Sequence, residues 1–420
     1  MSPTNTSMSS QVELVTKCQL CEGSIEFVMA LGSLPPVNDM VPTGKRLASV
    51  NVFPLDLLRC TDCGLVQIGA EISSEILFPE SYPYLSGTTK ILRDNFQNLC
   101  DESSEQLKLS KDAFIIDIGS NDGTLLSPFV DAGYNVLGIE PSQAADVANS
   151  RNINTRKAYF NDETVSSVLA ERGKANLVTA ANVFAHIADV HKITSLISSL
   201  LKDDGVFISE SHYLGDLIET LQYDTIYHEH LRYYSLTSLQ KLFSSHDLEI
   251  FDVKRIPTHG GSIRVYTARK GLHEIQPSVM ALLKQERESG VADGSALADF
   301  KARAIKSKLD LLSLLVELKQ AGNRIYGIGA PSRASTLINF VGLRDDVIDA
   351  VMEVTGSHKI GFDMPGTNIP VLDEAILYEQ QPEYVVLLSW HIADALIRNL
   401  KKSGYKGKFI VPLPEVHVVS

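Results

Sequence analysis

The chain has 420 residues, 44% of them hydrophobic, and a formal net charge of −13. Such a length exceeds one ordinary core and predicts two or three domains of about 100–200 residues. The acidic balance repels phosphate backbones, which argues against nucleic acid as a partner and leaves room for a small anion at a local basic patch. No apolar run reaches the ~18 residues of a membrane helix. The polar start Met1–Gln11 lacks the basic and apolar parts of a signal peptide. A cytoplasmic location with no membrane partner is expected.

Residues 1–75 read as the first unit. Cys18-Gln19-Leu20-Cys21 is answered by Cys60-Thr61-Asp62-Cys63, with Gly23 and Gly64 close behind. Each Cys-x-x-Cys knuckle turns two thiolates toward one ion. Two knuckles complete a closed tetrahedral zinc site with no open position for catalysis. Cys18, Cys21, Cys60 and Cys63 are therefore expected to hold structural zinc, with redox or unpaired thiols as the alternative. The stretch between the pairs, containing Leu34-Pro35-Pro36 and Pro42, reads as an ordered excursion.

Residues 76–272 read as the second unit. Phe114–Ile118 is a short apolar strand that runs into a glycine-rich turn, then a helix over Thr124–Ala132 and a strand over Asn135–Glu140. That succession opens a doubly wound α/β sheet. Leu177–Ala180 and Val206–Glu210 are further strands, and the helical patterns between them argue for parallel order. Residues 273–321 read as connecting helices, amphipathic through Leu297, Phe300, Ala304, Leu311 and Leu315. Residues 322–420 repeat the opening pattern with strands over Arg324–Gly329, Val347–Met352, Tyr384–Leu388 and Lys408–Pro412. The fold class is α/β: a small zinc domain, a central Rossmann-like domain and a C-terminal Rossmann-like domain.

The first central strand ends in Asp117-Ile118-Gly119-Ser120-Asn121-Asp122-Gly123. Glycines there let the backbone approach a ligand closely. Glu140, followed by Pro141, closes the next strand at the roughly 20-residue distance of an acid that grips ribose hydroxyls. Asn121 and Asp122 stand where a pyrophosphate would need the helix N-terminus clear. Asp117 and Asp122 would repel a diphosphate but suit a sulfonium and an amino group. Ala181 and Asn182 end a later strand where the methionine part would be held. The expected cofactor is S-adenosylmethionine (SAM). The alternative is a glycine turn in a structural sheet with a solvated acid.

Further motifs follow in order: Gly119–Leu126, Tyr227-His228-Glu229-His230-Leu231-Arg232-Tyr233-Tyr234-Ser235, Gly260-Gly261-Ser262-Ile263-Arg264-Val265 and Gly327-Ile328-Gly329-Ala330-Pro331-Ser332-Arg333. With the two cysteine pairs, this succession resembles the sugar C-methyltransferases that methylate C-3 of nucleotide-activated 4-keto-6-deoxyhexoses. The resemblance spans nearly the whole chain, and the Tyr-His-Glu-His run is its most specific piece. It implies SAM as donor, a deoxythymidine-diphosphate or similar sugar as acceptor, and a zinc-bearing N-terminal domain. It also implies site roles for Tyr227, Glu229, His230, His186 and a tyrosine of Tyr82-Pro83-Tyr84. One departure stands out. Ser332-Arg333-Ala334-Ser335-Thr336 occupies a stretch that in the family usually reads Ala-Lys-Gly-Asn-Thr. Arg333 keeps the charge, but arginine and lysine are not equivalent at phosphate sites. The sugar and nucleotide are therefore left open.

Methylation on carbon requires a base and a donor to an enolate oxygen. His230 is the expected base, with Glu229 or His228 assisting. Tyr227, His186 and Tyr82 or Tyr84 are expected to donate to the oxyanion. His228 and His230 would point to opposite faces if extended, which disfavours joint metal ligation. The alternative for the run is a polar loop or a satisfied core histidine. Arg264, Gly261, Arg333 and Ser332 are the expected substrate contacts through the diphosphate, with Trp390 and His391 lining the same cleft. The alternative there is a β-hairpin turn with a surface arginine. Two further readings remain: SAM-dependent methylation of oxygen or nitrogen on another small molecule, and a non-catalytic zinc-ribbon and Rossmann binding protein. The sequence does not fix the oligomeric state, and a monomer is compatible with it.

Overall fold

The computed structural model describes residues 12–45, 50–77, 87 and 89–420. Tyr82 and Tyr84 lie outside the described residues.

The central domain is built on a seven-stranded sheet. From one edge its strands are Leu248–Ile256, Ser262–Arg269, Leu201–His212, Ala175–Ala181, Phe114–Ile118, Asn135–Ile139 and Thr155–Arg156. The last five run parallel. The edge pair is an antiparallel hairpin, so the parallel order expected from the helical spacers stops short of that edge. Phe114–Ile118 is buried at every position, as a run apolar except for Asp117 requires of a central parallel strand. Chain order reverses between Phe114–Ile118 and Ala175–Ala181. The crevice at the carboxyl ends of these two strands is where α/β sheets bind ligands.

The C-terminal sheet has six strands, in the order Val371–Asp373, Ala350–Glu353, Ile325–Ile328, Tyr384–Leu387, Lys408–Val411 and His417–Val419. It too reverses beside its first strand. Gly329 follows that strand with φ +82° and leads into the helix Ser332–Val341. Between the two domains run the helices Pro277–Glu288 and Ala296–Gln320. The longer one buries Leu297, Phe300, Ala304, Leu311 and Leu315, the stripe expected from helical spacing.

The N-terminal unit is a small antiparallel sheet of Ile25–Leu34, Phe53–Cys60 and Val66–Ile68. A fourth strand comes from far along the chain: Arg232–Tyr233 pairs with Val66 and Gln67. The excursion between the cysteine pairs is ordered over its described part, where Val41 and Pro42 pair with Asp363 and Phe362 of the C-terminal domain. One apolar core joins Leu55, Val66, Tyr233, Phe300 and Val351, and so spans all three parts. A second joins Cys18, Cys60 and Leu65 to the central strands through Ile116, Phe207 and Tyr234.

Candidate active site

The two cysteine knuckles meet as their spacing implies. The four Sγ atoms lie within 4.8 Å of one another, with Cys18 and Cys63 at 3.5 Å and Cys21 and Cys60 at 3.4 Å. Zinc–sulfur bonds of about 2.3 Å in a tetrahedron put sulfurs about 3.8 Å apart, so this cage fits zinc. Backbone N–H groups of Leu20 and Asp62 point at Cys18 Sγ and Cys60 Sγ, which favours thiolates.

On the donor side, Gly119 has φ +67°. A Cβ there would lie 2.6 Å from Val183 Cγ2, so only glycine lets the loop pass. Glu140 accepts from Asn121 N (3.0 Å) and Ser142 N (2.8 Å), which locks the acid to the loop. Exposed Pro141 follows it. Gly123 N donates to Ser120 O, and the buried Ser120 Oγ has no protein partner. Ala181 registers with Glu210. Asn182 then turns left-handed, with φ +58°. A tight glycine cradle, an acid at the second strand and an orphaned hydroxyl fit an adenosine ligand.

The expected role of the two aspartates needs correction. Asp122 accepts from Thr124 Oγ1 (2.6 Å) and Gly87 N (3.1 Å) and pairs with Arg151. Asp117 is buried against Thr179 Oγ1 (2.7 Å), and burial pushes its pKa up to about 8. Both carboxyls serve the protein framework, so neither offers an open charge to a sulfonium.

Across the crevice, Tyr227–His230 forms a tight turn closed by His230 N to Tyr227 O (2.9 Å). His230 Nδ1 lies 3.0 Å from Thr225 O. A carbonyl only accepts, so Nδ1 carries the proton and Nε2 is bare. Tyr227 stacks on this ring at 4.1 Å, with His186 at 5.0 Å and His212 at 6.3 Å. Burial, then the neighbouring imidazoles, holds the His230 pKa well below the ordinary histidine value. The ring is neutral at physiological pH. His186 Nδ1 donates to Glu229 O (2.7 Å), and burial lowers its pKa to about 4. Its other nitrogen is therefore an acceptor, which corrects the expectation that it donates to an oxyanion; of the expected donors that are described, the Tyr227 hydroxyl remains. Glu229 is buried, and its carboxylate accepts from Asn38 Nδ2 (2.7 Å).

His228 turns the other way. It sits edge-on to Phe53 with Nε2 3.3 Å from Phe53 O and Pro54 O, so it is a core histidine and not the expected helper of His230. Burial lowers its pKa to about 4, against about 6.5 in an unfolded chain. The unfolded state thus binds the proton first, and stability falls as pH drops from about 6.5 toward 4. His186 and His212, both held near 4 chiefly by burial, add to the same loss. A melting series over that window should show the decline, and His228→Asn should flatten part of it.

On the acceptor side the structure redraws the expected diphosphate contacts. Arg264 is fully buried, with Nε on Glu210 (2.7 Å) and Nη1 on Glu102 (3.0 Å); Nη2 goes to Asn95. It staples the sheet to the helix Lys90–Gln106 and is neither a surface residue nor an anion ligand. Gly261 N donates to Thr258 O (2.9 Å), and its carbonyl accepts from Tyr213 N (3.2 Å). A Cβ on it would sit 2.5 Å from the Asp216 side chain. This glycine serves hairpin packing, with no N–H left for a phosphate. Arg333 is bidentate to buried Asp224, at 2.8 and 2.9 Å, and touches Gln222. Trp390 stacks beneath it and donates to the same aspartate (2.7 Å). Of its nitrogens, Nη1 makes none of these bonds. Ser332 Oγ lies 3.4 Å from Asn38 Oδ1, and His391 is exposed at the rim.

Several residues at the site were silent in the sequence. Asn38, from the N-terminal unit, joins Glu229 to Ser332. His212 and His259 close the crevice beside Asn182. Lys359 Nζ reaches Ala330 O (2.5 Å) next to the helix Ser332–Val341. None carries a motif. Only the Pro35-Pro36 break before Asn38 and the glycines after His259 mark turns.

Three family models match in succession: "Putative zinc binding domain" over residues 18–78, "Methyltransferase domain" over 91–253 and "C-methyltransferase C-terminal domain" over 257–414. The C-methyltransferase NovU of Streptomyces niveus is 33% identical over 418 residues, covering 98% of this chain and 99% of that protein. A ubiquinone biosynthesis O-methyltransferase of Nitrobacter winogradskyi is 25% identical over 125 residues, 29% of this chain and 47% of that protein. Among solved structures, an S-adenosylmethionine-dependent methyltransferase from Clostridium acetobutylicum covers 44% of this chain and 94% of its own, at 17% identity and a TM-score of 0.34. No helix among the described residues is long and apolar enough to cross a membrane.

Proposed function

The chain belongs to the SAM-dependent C-methyltransferases that carry zinc-binding, methyltransferase and C-terminal domains in one polypeptide, and from that premise we propose that it methylates the carbon beside the ketone of a nucleotide-linked 4-keto-deoxysugar through an enolate. The observation that carries this reading is the state of His230: a neutral ring beside His186 and His212, its Nδ1 proton fixed on Thr225 O and its Nε2 left as the accepting nitrogen.

A carbon acid beside a ketone gives up its proton when a base is placed on it and the enolate oxygen is met by a donor. His230 Nε2 takes the proton. Tyr227, whose ring lies against that imidazole, is the donor to the enolate oxygen. When bound, SAM supplies an electrophilic methyl group on a sulfonium. Gly119, Ser120, Asn121, Glu140 and Asn182 are the residues that would hold it, and structural zinc would sit on the four cysteines. The acceptor's diphosphate is assigned to the N-terminus of Ser332–Val341, where the backbone dipole favours anions. Arg333 and Lys359 add positive charge there. The Asp224 and Trp390 contacts hold the Arg333 fork in one plane.

Solvent exchange tests the reading. A nucleoside-diphosphate 4-keto-6-deoxyhexose incubated with enzyme in deuterated water, without SAM, should gain deuterium at the α-carbon. With SAM it should gain one methyl group there. Absence of exchange together with a methyl group on oxygen or nitrogen would overturn the proposal in favour of heteroatom methylation.

A further inference from the structure

Three residues at the crevice have left-handed backbone although none is glycine: Asn121 in the donor loop (φ +49°), Asn182 and His259. Asn182 (φ +58°) follows the strand Ala175–Ala181, and His259 (φ +56°) stands at the tip of the hairpin between Leu248–Ile256 and Ser262–Arg269. Such conformations persist only where the surroundings over-determine them, and they concentrate at ligand clamps. The ties are visible here. His212 Nε2, from the end of the neighbouring strand, donates to His259 O at 2.8 Å. Gln222 Nε2 donates to Gly260 O at 2.6 Å, and Ser262 Oγ donates to Thr258 O at 3.1 Å. The exposed ring of His259 then reaches Asn182, with Nε2 3.2 Å from Nδ2.

An amide nitrogen only donates, so His259 Nε2 is the accepting nitrogen and the ring is neutral. This bond selects one of the two faces of the Asn182 amide. With Nδ2 committed to His259, the carbonyl oxygen Oδ1 is the group left for a ligand. A carbonyl oxygen attracts an ammonium; an NH2 group in its place would repel it.

We propose that His259 is a positioning residue for the methyl donor: it fixes the Asn182 side chain so that Oδ1 meets the α-ammonium of the methionine part. The inference rests on placing that part of SAM at Asn182. It adds a role for the hairpin tip, which begins the C-terminal family region at residue 257, in binding a ligand of the central domain.

Calorimetry with two probes tests it. S-adenosylhomocysteine carries the amino-acid end; 5′-methylthioadenosine lacks it. His259→Asn suits the left-handed backbone but is too short to reach Asn182, and should weaken S-adenosylhomocysteine about tenfold, the scale of one lost hydrogen bond to a charged site. Binding of 5′-methylthioadenosine should stay unchanged. His259→Gln restores an acceptor at the right reach and should recover most of the affinity. In turnover, His259→Asn should raise KM for SAM and leave kcat nearly as it was. Equal weakening of both probes would show a collapsed loop and overturn the proposal, as would unchanged affinity for both. Failure of the wild-type protein to bind S-adenosylhomocysteine would instead count against the donor site itself.

Discussion

Replacing His230 by glutamine should lower turnover by roughly 10²–10⁴-fold, the range for loss of a positioned acid–base group, while SAM binds as before. Glutamine fills a similar space and can still bond to Thr225 O, but it cannot take a proton from carbon. The geometry makes the expectation sharp. His230 offers a bare Nε2 because Nδ1 is fixed on a carbonyl, and it stays neutral because burial and the nearby imidazoles disfavour its charged form. The sign follows directly. A base must be unprotonated to act, and the depressed pKa keeps it so across neutral pH. The wild-type kcat/KM should therefore fall only on the acid side, below the ordinary histidine range, and the His230→Gln profile should lack that limb. Deuterium exchange into the acceptor should vanish with turnover. Exchange that survives in the variant would remove His230 from the base role and shift attention to other groups around it.

What could be read from the sequence had local causes. Phe114–Ile118, Asn135–Ile139 and Tyr384–Leu387 are short apolar runs beside turns, and a buried parallel strand leaves that mark wherever it lies. The cysteine knuckles are equally local, because two ligands three residues apart must share an ion or waste their thiols. Arg264 failed as an anion ligand, and the Asp224 partner of Arg333 went unforeseen, for the opposite reason. An arginine after a glycine turn looks like an anion ligand, but its partner is fixed by the fold. Glu210 lies 54 positions from Arg264, and Asp224 lies 109 from Arg333. Sequence also hides which nitrogen of a histidine is free. His186 and His230 look alike on paper. Only the carbonyls of Glu229 and Thr225 show that both rings put their proton on Nδ1.

The site is assembled from three parts of the chain, and that changes what each substitution reports. Asn38 comes from the N-terminal unit, Glu229 from the central domain and Ser332 from the C-terminal one. Such non-local junctions leave no periodic signal. They also mean that the zinc unit cannot be treated as a detached ornament.

Cys60→Ser should therefore cost both stability and activity. Cys60 is fully buried at the end of Phe53–Cys60, and its sulfur lies 3.4 Å from Cys21 Sγ. Serine is a poor zinc ligand, and three thiolates left around a labile ion are worth far less than four. Structural zinc contributes about 10–16 kcal/mol to small zinc domains, and whole domains are stable by only about 5–15 kcal/mol. Even a fraction of that loss unfolds the N-terminal sheet. The damage then spreads by two routes. Cys18, Cys60 and Leu65 pack in the same core as the central strands. Arg232 and Tyr233, two and three residues past His230, are themselves a strand of the zinc unit's sheet, and Ile68 N donates to Leu231 O beside them. Losing the zinc should thus release the Tyr227–His230 turn from one side. The expected outcome is loss of bound zinc by elemental analysis, a melting temperature lowered by many degrees, and turnover reduced along with it. Chelation of the wild-type protein should do the same. A Cys60→Ser protein that melts normally, or a chelated protein that keeps full activity, would show that the four cysteines hold the fold without metal.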